Sequence, residues 1–365
     1  MCIKVNPKPQ FLEMNPYLLE KGIDEIKQIY KMNCPVNLSS NENPYGFSEN
    51  VREAIINEIP KLSLYPDGKA SLLRRRLAEF LSVQRENLVF SNGTDELIRI
   101  ICRAFLGTGT NAVLSSLSFP QYKRNAVMEG ADIHEVPHVN GRHHIEKMID
   151  AVDDNTRVIW ICNPNNPTGE YVREQELIHL LNSVNQNVLV VCDEAYYEYV
   201  EARDFPNSIH LMKDYPNLII TRTFSKAYGL AALRIGYGIA HSDIIKILEA
   251  ARETFNTSRL AQTAAAAALE DQNFIKECHQ KNRKELEHFY RFCWRYGLNY
   301  FPSQGNFIFI DIGKPPEKIT DHLLSEGFII RSGNNPEFPT SIRITVGTSK
   351  QNDDLMVHLS QYLGN

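Results

Sequence analysis

The sequence predicts an α/β protein: a large domain built on a mostly parallel, seven-stranded sheet, followed by a smaller α+β domain. Three observations carry this. The chain has 365 residues, enough for one large core and a second, smaller one. Through its middle, apolar strand-like runs alternate with amphipathic stretches, the pattern of a parallel sheet covered by helices. After Ala240 the alternation stops, and long helices precede a mixed segment.

Seven runs read as strands: 87–91, 111–116, 131–136, 157–162, 188–192, 218–222 and 236–240. Several are apolar on both faces, as strands covered from two sides must be. In such sheets active sites lie at the carboxyl ends of strands, so the residues directly after each run matter most. Downstream, 242–255, 258–269 and 273–296 read as helices. A strand at 306–312, a helix near 315–326, strands at 328–331 and 341–346, and a final helix from about Gln351 complete the chain. Residues 41–255 are assigned to the large domain and 256–365 to the small one. Residues 1–40 are expected to pack on the small domain or on a partner subunit.

The hydrophobic share of 43% and charged share of 23% are ordinary for a globular chain. The net charge of −5 is spread along the sequence, which argues against a nucleic-acid footprint or a membrane-surface patch. No apolar run is long enough to span a bilayer, and residues 1–15 lack a signal-peptide pattern, so a cytoplasmic protein is expected. Cys102, Cys162 and Cys192 lie in apolar runs and read as reduced core residues. His143 and His144 sit in a polar stretch without spaced acidic or cysteine partners, so no metal site is expected there. The charge run 281–288 reads as a solvated helix face.

Four segments carry chemistry. In Thr221-Arg-Thr-Phe-Ser-Lys226 a lysine follows a strand end, and Arg234 comes eight residues later. A lysine so placed can bind a carbonyl cofactor covalently, with Thr223, Ser225 and Arg234 near a phosphate. By itself the Ser-Lys pair reads more readily as a surface lysine. Asp193, in Cys192-Asp-Glu-Ala-Tyr196, follows a buried run. It suits either a carboxylate held against a protonated ring nitrogen, with Tyr196 close by, or the cap of a following helix. Asn163-Pro-Asn-Asn-Pro-Thr-Gly169 is a rigid turn that leaves asparagine amides at a strand end. Ser91-Asn-Gly-Thr-Asp-Glu96 opens a helix over 95–105, whose free N–H groups suit a phosphate.

In order and spacing these segments resemble the fold-type I pyridoxal-phosphate-dependent aminotransferases, from about Asn37 to the C-terminus. The resemblance implies a homodimer with sites at the subunit interface and pyridoxal 5′-phosphate as cofactor. It implies that Lys226 carries the cofactor and moves the reacting proton, that Asp193 faces the pyridine nitrogen, and that Asn166 and Tyr196 face the phenolic oxygen. Gly93, Thr94 and Asp95, with Thr223, Ser225 and Arg234, would hold the phosphate, and Arg343 would clamp a substrate carboxylate. The family's ring-stacking aromatic usually follows Pro-Thr or Pro-Ser. Here the stretch is Leu117-Ser-Phe-Pro-Gln-Tyr122, in which Phe119 aligns best and Tyr122 lies close.

Within the family, Leu38-Ser-Ser-Asn-Glu-Asn-Pro44, Tyr65-Pro-Asp67 and Phe328-Ile-Ile-Arg-Ser-Gly333 are most similar to histidinol-phosphate aminotransferases. That implies histidinol phosphate and glutamate as substrates, Arg331 as the partner of the substrate phosphate, and Tyr65 reaching the cofactor phosphate of the other subunit. Asn43 would line the substrate pocket, and Tyr17 would enter from the partner. The rival readings are an aromatic amino-acid aminotransferase and a threonine-phosphate decarboxylase. A transcription regulator with an aminotransferase-like domain is disfavoured, because too few residues precede Asn37 for a DNA-binding module.

Overall fold

The computed structural model describes residues 6–14, 23–30, 35–333 and 337–364. After a short strand β1 (Val36–Asn37), seven strands build the central sheet: β2 (Leu88–Ser91), β3 (Asn111–Ser115), β4 (Asp132–Val136), β5 (Thr156–Cys162), β6 (Leu189–Asp193), β7 (Leu218–Thr223) and β8 (Gly236–Ile239). All seven expected runs are strands. The spatial order is β2-β8-β7-β6-β5-β3-β4; β8 runs antiparallel to both its neighbours and the other pairs are parallel.

Alternation along each strand feeds two cores, one on each sheet face. In β5, Ile159 and Ile161 enter one core, while Val158, Trp160 and Cys162 enter the other. The alanine-rich helix Arg259–Ala268 joins the first of these cores through Ala261, Ala264, Ala265 and Ala268. The sequence reading had put this helix in the small domain. Alanine leaves no apolar stripe to read, yet its small side chain lets this helix settle closely on the large sheet's layer. We therefore propose that the boundary falls within the helix Gln272–Tyr296 rather than at 255/256.

The small domain carries an antiparallel sheet of β9 (Asn299–Phe301), β10 (Phe307–Asp311), β12 (Arg331–Ser332) and β13 (Ser341–Thr345), ordered β12-β13-β10-β9. Strand β9 had no counterpart in the sequence reading. β11 (Phe328–Ile329) pairs in parallel with β1, and Leu38 sinks into the third core, that of the small domain. Further upstream the chain behaves differently: Gln10 Nε2 donates to Met128 O, on a helix of the large domain. The charge run 281–288 is not simply solvated. Asn282 and Glu285 are buried, and Glu285 accepts from Asn352 Nδ2 at 2.9 Å, which ties the long helix to the last one. His143 is buried too, with Nε2 3.1 Å from Cys162 O, and burial lowers its pKa to about 4.

Candidate active site

Parallel strands β5, β6 and β7 end side by side, so the loops that follow them meet at one sheet edge. Asp193 is the last residue of β6 and is buried. Its Oδ2 accepts from the Tyr122 hydroxyl at 2.7 Å, while the equally buried Oδ1 has no protein partner. A buried carboxylate oxygen without a donor is costly, and this one awaits a cationic or N–H group. Burial raises the carboxyl to about 6, against the pull of the Tyr122 hydrogen bond.

Tyr122 itself lies fully buried and stacks on Trp160, with centroids 4.7 Å apart and planes 9° from parallel. Its ring is thus engaged by Trp160 and its hydroxyl by Asp193. Phe119 is half-buried and stands edge-on to Tyr122 at 5.6 Å. Sequence reasoning weighed Tyr122 only as a stacking residue and missed its bond to Asp193.

Lys226 follows β7 in the turn that starts at Ser225. Its Nζ donates to Ser40 O at 2.9 Å and stands 5.8 Å from the centre of the Tyr196 ring. Burial and the charge of Arg343 lower its pKa to about 8, so a substantial fraction of the amine is neutral near physiological pH. Arg234 adopts a left-handed backbone (φ 52°). From there it reaches Ser225 Oγ at 3.3 Å and Asp95 Oδ2 at 3.5 Å. Gly93, at φ +77°, lies directly beneath: a Cβ there would stand 2.4 Å from Arg234 Nη2. Gly93 caps the helix Thr94–Phe105 without a side-chain bond, which leaves N–H groups of the first turn beside Arg234. The Thr223 hydroxyl accepts from Ser225 N at 3.0 Å, so it shapes this turn.

The turn after β5 has cis bonds at Asn163–Pro164 and Asn166–Pro167. It presents Asn166 between two partners: Nδ2 donates to Tyr196 Oη at 3.3 Å, and Oδ1 accepts from Arg343 Nη1 at 2.6 Å. Arg343 lies on β13 directly opposite Arg331 on β12. Opposed residues of an antiparallel pair project to the same face, so both guanidinium groups leave the small sheet together.

Tyr65 stands apart from this cluster. Its ring is 78% exposed and stacks on Phe255 at 4.8 Å. Asn43 is spent on structure: Nδ2 donates to Ala227 O at 2.8 Å, which pins the lysine loop. Tyr17 lies outside the described residues. Asn41, unforeseen in the sequence, is buried at φ 55° and donates from Nδ2 to Tyr196 Oη at 3.0 Å.

An amine of lowered basicity, a buried carboxylate with one open oxygen, a phosphate-sized cradle and two paired arginines thus converge. The family model for class I and II aminotransferases matches residues 34–359. The chain belongs to that family. Among aminotransferases of this class it is 53% identical to a histidinol-phosphate aminotransferase of Anoxybacillus flavithermus, over 98% of this chain and 96% of that one. It is 50% identical to that of Bacillus subtilis, over 98% and 99%. The structure superposes with a TM-score of 0.90 and 27% identity on the histidinol-phosphate aminotransferase of Sinorhizobium meliloti, solved in complex with pyridoxal-5′-phosphate, covering 98% and 97%.

The residues present fit that group. Asp193 Oδ1 lacks the donor a pyridinium would supply, Gly93 keeps the phosphate cradle clear under Arg234, and Lys226 offers a partly neutral amine. No helix among the described residues is long and apolar enough to cross a membrane.

Proposed function

We propose that this aminotransferase moves an amino group between L-glutamate and L-histidinol phosphate, with 2-oxoglutarate and imidazole-acetol phosphate as the keto partners, in histidine biosynthesis. Pyridoxal 5′-phosphate is its cofactor. When bound, that group takes up amines at its aldehyde carbon and draws electrons from the substrate carbon into its ring.

The protein residues divide the remaining work. Lys226 would hold the cofactor through Nζ, and its amine would serve as the base that takes and returns the proton at the substrate Cα. Asp193 Oδ1 holds the proton on the ring nitrogen. Asn166 and Tyr196 donate to the phenolic oxygen, and Phe119 covers the ring. Arg234, Ser225, Thr223 and the backbone N–H groups of Thr94 and Asp95 hold the phosphate, while the Gly93 N–H is spent on Ser91 O at 2.9 Å and Gly93 serves by leaving the space clear. Asp95 also pairs with Arg234 through its carboxylate.

The observation that carries the substrate assignment is the pairing of Arg331 with Arg343 on one sheet face, next to Asn166. Histidinol phosphate has no carboxylate, so its phosphate dianion must orient it; glutamate offers two carboxylates to the same pair. The test is the half-reaction. Cofactor-loaded protein is mixed separately with histidinol phosphate, phenylalanine and threonine phosphate, and the cofactor absorbance is followed. Fast conversion by histidinol phosphate and slow conversion by phenylalanine is expected. Preference for phenylalanine, or loss of carbon dioxide from threonine phosphate without an amino acceptor, would reject the assignment.

We further propose a cytoplasmic homodimer in which Tyr65 enters the partner's site. Exposed apolar side chains at Ile56, Ile59, Leu62 and Leu64 beside Tyr65 support the dimer, and the buried free thiols of Cys102, Cys162, Cys192, Cys278 and Cys293 suit a reducing compartment.

A further inference from the structure

The hydrogen-bond polarity around Tyr196 can be worked out from its neighbours alone. Arg343 is a donor at every nitrogen, so the Asn166 oxygen must face it and the Asn166 NH2 must face Tyr196. Asn41 is fixed by the same logic from the other side. Its backbone N–H donates to Thr345 Oγ1 at 2.9 Å, so the threonine's own proton goes to Asn41 Oδ1 at 3.0 Å. That leaves the Asn41 NH2 for Tyr196 Oη, at 3.0 Å. Asn306 Nδ2 donates to the Asn41 carbonyl at 3.0 Å and locks the left-handed backbone. Two amides therefore donate into one buried phenol oxygen, which leaves its single proton for a third partner.

We propose that Asn41 is a positioning residue that sets the Tyr196 hydroxyl as an obligate donor toward the cofactor's phenolic oxygen. The inference rests on the placement of Tyr196 beside that oxygen under the proposed function. Donation into the phenolic oxygen draws off negative charge that would otherwise keep a proton on the neighbouring nitrogen joined to Lys226. Asn41 therefore lowers the pH at which that nitrogen loses its proton, and it acts only through Tyr196. Because Thr345 and Asn306 belong to the small domain's sheet region, the acid–base state of the cofactor is tied to the seating of that domain.

The test is a pH titration of the absorbance of bound cofactor, made without substrate. Tyr196→Phe raises the midpoint by roughly one pH unit, the worth of one hydrogen bond to a charged group. Asn41→Asp, isosteric and still able to accept from Thr345, turns the tyrosine proton back toward residue 41 and raises the midpoint similarly. Asn41→Gly keeps the left-handed backbone accessible, removes one donor and raises the midpoint by less. Combined with Tyr196→Phe, Asn41→Gly adds nothing further. Unchanged midpoints in both Asn41 variants, or a shift from Asn41→Gly that persists without the tyrosine hydroxyl, overturn the role of Asn41. An unchanged midpoint in Tyr196→Phe overturns instead the placement of Tyr196, and the inference with it.

Discussion

Asp193 shows how one buried group sets a pH dependence. Its carboxyl is raised to about 6, above the ordinary value of 3.8. Burial disfavours its charged form, so it costs stability that grows from about pH 4 and levels off above about pH 6. That difference corresponds to about 3 kcal/mol at neutral pH. A cationic ring nitrogen against Oδ1 cancels the cost. Pyridoxal phosphate is therefore expected to raise the melting temperature more at pH 7.5 than at pH 5, and Asp193→Asn is expected to flatten the contrast. Equal stabilisation at both pH values would disprove this. Arg331 makes a second prediction at this scale. Arg331→Gln removes a charged partner of the substrate phosphate, worth about 1.5–3 kcal/mol. kcat/KM for histidinol phosphate should fall roughly 10- to 150-fold, and less for glutamate, whose carboxylates carry single charges. Steady-state kinetics with each substrate decides it, and equal losses would refute the division of labour.

The loop from β2 into the helix Thr94–Phe105 acts as one element, because Gly93 must stay bare for Arg234 to lie over it. Gly93→Ala places a methyl on the guanidinium and strains a left-handed backbone. The variant should fold yet bind cofactor at least about tenfold more weakly, by the loss of one charged hydrogen bond. Equilibrium dialysis with retained circular dichroism checks this, and unchanged affinity would sink it. Elements of this kind were legible in the sequence, since the inner strands of the central sheet carry apolar runs whose ends are local signals, while β4, at the sheet edge, is the polar exception. The segments holding Lys226, Asp193 and Asn166 could be read because each follows such a run. Asn41 could not: its partners Tyr196 and Thr345 lie 155 and 304 residues away, and nothing local distinguishes it from Asn43. The bond from Tyr122 to Asp193 spans 71 residues and was hidden for the same reason. The packing of the alanine-rich helix was not legible either, because its burial depends on the layer beneath it and not on its own pattern.

At the scale of the whole molecule, the exposed apolar side chains of Leu62, Leu64 and Tyr65 mark the face assigned to the proposed dimer. Leu62→Glu combined with Leu64→Glu should convert a dimer into monomers in sedimentation experiments and abolish most activity. Dimers mixed from Tyr65→Phe and Lys226→Ala chains should then recover one weakened or one intact site per pair, depending on which residue crosses. A monomeric, fully active wild type would reject both the dimer and the shared site.

The course of residues 36–44 has a consequence for how the protein is made. Strand β1 waits for β11, Ser40 O waits for Lys226, and Asn41 waits for Thr345, 304 residues later. At about 5–20 residues per second, ribosomal synthesis of that span takes on the order of 15–60 s. During this interval the nascent large domain can pair its central strands and bring Tyr196, Lys226 and Ala227 to residues 40–43, but the partners from the small domain's strands, β11 and Thr345, come last. A chain halted before β13 carries Lys226 and Asp193 but cannot assemble the wall around Tyr196. Cofactor capture in its finished geometry is thereby reserved for the completed polypeptide.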